Sequence, residues 1–101
     1  MYYLYIIYSE TFNKFYVGSS HNPWSRLEKH NTTIFNTYTS KYRPWVLKAV
    51  FKVGTTRSEA EEIERIIKKQ KSKTLFLKMI DSNFVLTGKL AQLVRVPHVR
   101  D

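Results

Sequence analysis

The chain has 101 residues, 43% of them hydrophobic and 15% aromatic, which is enough for the core of one domain and argues against a disordered chain. It contains no cysteine, which excludes disulfides, thiolate metal sites and cysteine nucleophiles. Seventeen Lys and Arg against eight Asp and Glu give a net charge of +9, which indicates nucleic acid as a partner, although the same charge could serve solubility alone.

The first predicted elements are two strands. Residues 2–8 (YYLYIIY) and 15–19 (FYVGS) are rich in aromatic and β-branched side chains, as strands are. The polar residues 9–14 between them predict a hairpin loop, so the two strands should be antiparallel. Gly18 indicates a bulge or a point where another group comes close to the backbone, and a phosphate could use that space.

A short helix, a loop and a third strand follow. Residues 21–31 predict the helix, with Asn22 as its N-cap and Pro23 at its first position, where the missing N–H costs nothing. Residues 32–43 have no clear period and predict a long polar loop, which in a compact domain is often functional. Residues 44–53 (PWVLKAVFKV) predict the third strand.

The clearest helix is predicted over residues 55–71. Either Ser58 with Glu61 or Thr56 with Glu59 can form a capping box at its start. Acidic residues crowd its first turns and lysines its last, as the helix dipole favours. Its apolar stripe consists of Ala60, Ile63, Ile66 and Ile67.

The last predicted helix covers residues 72–80, and beyond it the apolar pattern loses its period. We therefore place a boundary after residue 82 and expect 83–101 to be a weakly structured C-terminal tail. The order strand, strand, helix, strand, helix, helix predicts an α+β fold, in which a small three-stranded antiparallel β-sheet is flanked by helices.

No segment has the length of a membrane span. The longest apolar runs lie near residues 2–8 and 44–51 and fall well short of the roughly 20 residues that a spanning helix needs. The N-terminus also lacks a basic segment followed by an apolar stretch, so no secretory signal is predicted. We therefore expect a cytoplasmic protein with no membrane partner.

Two tripeptides on the first two strands carry a family resemblance. Tyr3-Leu4-Tyr5 and Tyr16-Val17-Gly18 place two tyrosines eleven residues apart. Arg26 follows ten residues after the second of these tyrosines, and His30 stands one helical turn further on. Glu64 lies on the long helix, four residues after a small residue. With TSKYRPW before the third strand and TRSEA before the long helix, this arrangement resembles the GIY-YIG nuclease domain over about residues 1–80.

The resemblance implies a divalent-metal-dependent endonuclease that hydrolyses phosphodiester bonds in nucleic acid, with DNA as the expected substrate and DNA repair or recombination as the expected setting. Glu64 would hold a single Mg²⁺ or Mn²⁺. The catalytic residues, at the positions that match the family, would be Tyr5, Tyr16, Arg26, His30 and Glu64.

The chemistry of these residue types suits that reaction, and each also has an ordinary structural role. One carboxylate can hold Mg²⁺, which keeps most of its waters, but Glu64 could also be a plain surface residue. Arg26 could donate two parallel hydrogen bonds to a phosphate or simply be a solvated helix charge. His30 titrates near neutral pH when exposed and could accept a proton, or it could sit at a helix C-terminus because the dipole favours it. Tyr5 and Tyr16 could place two hydroxyls over one phosphate or pack in the sheet.

Two positions depart from the family's pattern. Ser19 stands where some members have Lys, and Phe76 stands where some have Asn. The loss of these polar groups leaves open an alternative function, a nucleic-acid-binding module of the same fold with weak or no cleavage. A third reading is an RNA-binding accessory protein in which only the charge matters.

Nucleic-acid contacts are predicted around the same positions. The segment KKQKSK at 68–73 holds four lysines in six residues, and basic residues in the long loop could extend this surface, although such runs are often only solvated. Tyr38 and Tyr42 in that loop could stack on bases, whereas Trp45 is better explained as core. The residues predicted to bind nucleic acid are Gly18, Ser19, Lys41, Arg43, Lys68, Lys69 and Lys71.

Overall fold

The sheet has four strands and runs in the order β2-β1-β3-β4, with every neighbouring pair antiparallel. The structure is a computed structural model and describes residues 1–97. The strands are β1 (Tyr2–Ser9), β2 (Lys14–Ser20), β3 (Val46–Gly54) and β4 (Val94–Arg95). The helices are α1 (Pro23–Thr32), α2 (Arg57–Gln70) and α3 (Lys73–Ile80), with 3₁₀ turns at Thr39–Tyr42 and Gly88–Gln92.

The central strand β1 is apolar on both faces because both faces of the sheet are covered. Leu4 and Ile6 pack into one core cluster with Ile63 and Ile67 of α2. Tyr5 and Ile7 point the other way and pack into a second cluster with Trp45 and Leu47, against which Leu27 of α1 packs. A strand buried on both faces reads as a continuous apolar run rather than as an alternation, which explains YYLYIIY.

Helix α2 begins with one of the two capping boxes that its sequence allows. The Thr56 hydroxyl accepts from the Glu59 N–H, and the Glu59 carboxylate accepts from the Thr56 N–H. Glu61, the acid of the other possible box, instead pairs with Arg57 at 3.4 Å. The predicted stripe is confirmed, since Ala60, Ile63 and Ile67 are buried and Ile66 packs beside them.

The predicted α+β class is confirmed, but the sheet has four strands and not three. Strand β4 was missed because it is only two residues long, pairing Phe51 with Arg95 and Lys52 with Val94. The long loop also contains the 3₁₀ turn at Thr39–Tyr42. The other elements were predicted to within about two residues of their observed ends.

The segment after residue 82 docks on the core through two leucines. Leu90 and Leu93 are both buried within the first core cluster, and the Val96 N–H donates to the Val50 carbonyl at 2.8 Å. The Arg95 guanidinium lies 4.8 Å from the centre of the Phe51 ring. Residues 98–101, the end of the expected tail, lie outside the described residues. The domain boundary itself stays a prediction.

Within residues 1–97, no helix combines the length and the apolar character needed to span a membrane.

Candidate active site

The candidate site is built around β2, which is an edge strand of the sheet. Helix α2 packs on the face that carries Val17, and α1 packs on the face that carries Tyr5. Because β2 has one free edge, side chains from both helices can reach around it and meet. This is how residues from opposite layers of the domain come to share one site.

A buried hydrogen-bonded chain forms the floor of the site. The Tyr5 hydroxyl and the His30 Nε2 are 2.8 Å apart, and the His30 Nδ1 and the Thr39 hydroxyl are also 2.8 Å apart. The Thr39 carbonyl in turn accepts from the Trp45 indole N–H at 2.7 Å. Tyr5 and His30 are only 1% and 7% exposed, so this chain is shielded from solvent.

Burial keeps Tyr5 and His30 neutral. It raises the pKa of Tyr5 to about 12, against the opposing influence of the nearby Arg26 guanidinium. Burial and the nearby Arg26 charge lower the pKa of His30 to about 4. His30 therefore does not titrate near neutral pH, although its residue type alone had suggested that it would.

The partners of Tyr5 fix its proton. The neighbouring Arg26 guanidinium carries only donors, so it cannot take the Tyr5 proton. We assign the Tyr5 proton to the bond with His30 Nε2, since a buried hydroxyl needs an acceptor. His30 then carries its own proton on Nδ1 and donates it to Thr39. The chain thus ends at a Tyr5 oxygen that lies close to the Arg26 guanidinium.

Tyr16 occupies a different position from Tyr5. It is half-buried, and its ring lies 5.3 Å from the His30 ring and 6.1 Å from the Tyr38 ring, centre to centre. It lines a cleft of about 520 Å³ together with Arg26 and His30. The two tyrosines therefore do not present a matched pair of hydroxyls to solvent. Tyr16 faces the cleft, and Tyr5 lies beneath it.

Glu64 is anchored through both carboxylate oxygens. The Ser19 hydroxyl donates to Oε1 at 2.7 Å, and the Lys68 ammonium donates to Oε2 at 2.7 Å. The same ammonium lies 5.0 Å from the centre of the Tyr16 ring. Burial lowers the pKa of Lys68, but the hydrogen bond to Glu64 and the neighbouring Tyr16 outweigh it and leave that pKa raised. Lys68 therefore links Glu64 to Tyr16.

Arg26 connects the two halves of the site. It lines the cleft with Tyr16 and His30, and it also lines a second cleft of about 360 Å³ with Ser19 and Glu64. The structure thus brings Tyr16, Arg26 and Glu64 together around β2, with Tyr5 and His30 buried below them. This arrangement can hold an anion between the Arg26 guanidinium and a cation bound to Glu64.

The carboxylates present suit a loosely held Mg²⁺. Among residues 1–97, no three His, Asp or Glu side chains cluster as metal ligands. Glu64 and Glu61 do line the same cleft. Mg²⁺ commonly binds through one or two carboxylates and completes its shell with water and substrate phosphate, so this donor set fits it.

The residues predicted to contact nucleic acid differ in how accessible they are to a ligand. A Cβ on Gly18 would lie 2.4 Å from the Tyr5 hydroxyl oxygen, so the space that Gly18 leaves is filled by Tyr5 and not open to a phosphate. Arg43 donates to the carbonyls of His30 and Thr33 and so ties the loop to the end of α1. Lys41, Lys68, Lys69 and Lys71 are exposed.

Sequence reasoning missed three features of this site. Thr39 gave no signal, because a threonine in a loop is ordinary and its contact with His30 depends on the fold. The pairing of Lys68 with Glu64 did give a signal, since residues four apart share a helix face. Glu61 likewise lies three residues before Glu64 and reaches the same cleft.

One of two comparisons with known proteins identifies a family for this chain. The model of one protein family, described as the GIY-YIG catalytic domain, matches residues 1–78. The matched range spans the positions of all five predicted catalytic residues, whose roles stay predictions. A comparison with curated proteins found no match.

Proposed function

The chain belongs to the GIY-YIG catalytic domain family and so has the fold of a nuclease, and on that premise we propose that it is a divalent-metal-dependent endonuclease acting on DNA. The observation that supports this most is the meeting of Tyr16, Arg26 and Glu64 around the free edge of β2. The net charge of +9 suits the substrate, a polyanion.

Each residue at the surface of the site has a role in this proposal. Arg26 binds the scissile phosphate through its fork of N–H donors and balances its charge. Glu64 holds Mg²⁺ or Mn²⁺, which when bound supplies further charge neutralisation at the phosphate and the leaving oxygen. Tyr16 lines the cleft beside Arg26, where its hydroxyl can orient the attacking water.

Tyr5 and His30 act through Arg26 and not on the substrate. Both are buried and neutral, and the Arg26 charge lies close enough to lower the pKa of each. The proposal therefore assigns them a positioning role, whereas the family pattern suggested a direct one. A role in DNA repair or recombination and a cytoplasmic location are also proposals, the first resting on the family and the second on sequence signals.

Substitution of Glu64 tests the proposal. Glu64→Ala should lower cleavage by roughly 10²-fold or more, because loss of one preorganised electrostatic group costs about that much. Nucleic-acid binding should stay nearly intact or become tighter, since it rests on many Lys and Arg contacts and loses one repulsive carboxylate. The assay compares branched, nicked and single-stranded substrates with Mg²⁺, Mn²⁺ or EDTA.

Glu62→Ala is the matched control. Glu62 is an exposed carboxylate on the same helix and is absent from the lining of the cleft that contains Glu64. Its loss should change cleavage little. An inactive Glu62→Ala protein beside an active Glu64→Ala protein would contradict the assignment, and equal activity of both would mean that cleavage occurs elsewhere or comes from a contaminant.

One observation favours the alternative, a binding module with little cleavage. Both oxygens of Glu64 already accept hydrogen bonds, from Ser19 and Lys68, and a metal ion would have to compete with them. The same assay separates the two functions. Binding of every substrate with cleavage of none, at any of the metal conditions, would support the module.

A further inference from the structure

A third cleft, of about 480 Å³, lies beside the candidate active site between β2, the end of α2 and α3. Phe15 and Phe76 form its floor, with their rings nearly parallel at 7° and their centres 5.3 Å apart. Tyr16 and Tyr38 line its side nearest the active site. We call this the phenylalanine cleft. Its volume is within the range of roughly 300–1,000 Å³ that small-molecule sites have.

Four lysines surround this aromatic floor. They come from different elements, from β2, from α2 and its C-cap, and from α3, and no acidic residue is among those that line the cleft. Lys68 belongs to both the cleft and the active site, since its ammonium bonds to Glu64. The lysines are Lys14, Lys68, Lys71 and Lys73.

This combination matches the chemistry of a nucleotide. Flat aromatic side chains bind a base through its face, and ammonium groups bind the phosphates on either side of it. A base within a duplex has both faces covered by its neighbours, so only an unpaired base can use such a floor. Charge also argues against an apolar peptide as the occupant, because such a peptide would bring no negative charge to the ammoniums of Lys14, Lys71 and Lys73, whereas Lys68 is already paired with Glu64.

We propose that the phenylalanine cleft binds an unpaired nucleotide of a single-stranded segment. This placement rests on the proposed function: the nucleotide lies next to the scissile phosphate, because Tyr16 lines both clefts and Lys68, which lines the phenylalanine cleft, bonds to Glu64. The protein then prefers substrates with a single-stranded segment beside the cut, such as flaps or branches. Phe76, which stands where some family members have Asn, serves this binding.

Binding without cleavage tests the inference first. The probe is a short single-stranded DNA oligonucleotide carrying a fluorescent label, compared with the same sequence as a blunt duplex, in EDTA. Phe76→Leu keeps an apolar side chain against the core but removes the aromatic face. It should weaken single-strand binding about fivefold or more, the loss expected for one base–aromatic stack, and leave duplex binding almost unchanged.

Phe84→Leu is the matched control for the ring. Phe84 is 37% exposed, also aromatic, and is absent from the lining of the cleft. It should bind both probes like the wild type. Lys73→Ala and Lys78→Ala form a second matched pair, each losing one exposed lysine of α3, and only Lys73 lines the cleft. Lys73→Ala should show the larger loss for the single strand.

Equal single-strand affinities for Phe76→Leu and Phe84→Leu, with both folded by circular dichroism, would overturn the inference. If Phe76→Leu does not fold, the lysine pair decides, and equal losses from Lys73→Ala and Lys78→Ala would overturn it. The result is independent of the nuclease proposal. If the wild type never cleaves but Phe76→Leu loses single-strand binding, the cleft proposal stands and the nuclease proposal fails. If the wild type cleaves and Phe76→Leu binds single strands normally, the nuclease proposal stands and the cleft proposal fails.

Discussion

The Lys68 ammonium lies between the Glu64 carboxylate and the Tyr16 ring, at 2.7 Å from the first and 5.0 Å from the centre of the second. It therefore supplies positive charge close to where some relatives carry a lysine after the second tripeptide, a position held here by Ser19. In this protein Lys68 of helix α2 supplies the positive charge and Ser19 of strand β2 supplies a hydroxyl, and both anchor the Glu64 carboxylate.

Lys68→Met should lower cleavage by about tenfold or more, because it removes a charge that orients Glu64 and lies over Tyr16. The single-turnover rate measures this directly. Lys69→Met is the control, since Lys69 is the exposed neighbour and carries the same charge. Equal rates for the two variants would show that Lys68 contributes only its general charge.

His30 makes stability depend on pH. Its pKa is about 4 in the folded protein and near 6.5 when exposed, so between these values the unfolded chain binds more protons. The free energy of unfolding should therefore fall as pH falls from 6.5 to 4, by at most about 3 kcal/mol at 1.36 kcal/mol per pKa unit. Urea unfolding at several pH values measures it.

Two variants isolate the contribution of His30. His30→Gln should flatten the decline between pH 6.5 and 4, because it removes the buried titrating group. His21→Gln should keep the wild-type decline, since His21 is exposed. A decline of the same steepness in both variants would show that His30 is not the cause.

At the scale of elements, helix α2 carries both Glu64 and Lys68 and depends on its capping box. Local signals determined this helix: the Thr56–Glu59 box, the apolar stripe and the lysines at its end all point the same way. The neighbouring strand β2 was also predicted from local sequence. Its role in the site depends instead on its position at the edge of the sheet, where residues of both α1 and α2 can reach it.

Thr56→Ala should destabilise the protein by about 1 kcal/mol, the usual cost of losing an N-cap hydroxyl. Urea unfolding measures the change. Cleavage well below the melting temperature should persist, because Glu64 and Lys68 lie in later turns of the helix. Thr55→Ala is the control, since Thr55 is exposed and precedes the cap, and an equal loss from it would contradict the role given to the box.

At the scale of the whole molecule, the two core clusters lie on opposite faces of one sheet, and the segment after residue 82 completes the first of them. Leu90 and Leu93 belong to the same buried cluster as Phe51 and Met79. The chain beyond the family match at 1–78 therefore contributes to the core as well as to the surface.

Leu90→Ala should cost about 2 kcal/mol of unfolding free energy, the lower end for a buried leucine, because Leu90 lies at the edge of the core. Thermal or urea unfolding measures it. Val85→Ala is the control, since Val85 is 77% exposed in the same segment. No loss in Leu90→Ala would support the weakly structured tail that the sequence predicts.

The sequence by itself determined the elements of this protein and the candidates for its site. Runs rich in aromatic and β-branched residues, helix caps and an amphipathic stripe are local patterns, so β1, β2 and α2 could be predicted from them. The spacing of Tyr5, Tyr16, Arg26, His30 and Glu64 was likewise readable along the chain and indicated the family.

Only the tertiary structure decided what those residues do. Burial makes His30 and Tyr5 neutral partners, and no linear pattern gives the burial of a side chain that another layer covers. The contact of Thr39 with His30, the approach of Lys68 to Tyr16 and the stacking of Phe76 on Phe15 all join distant elements around one edge strand. Strand β4 was hidden for the same reason, since two residues carry no period and pair only because β3 offers them an edge.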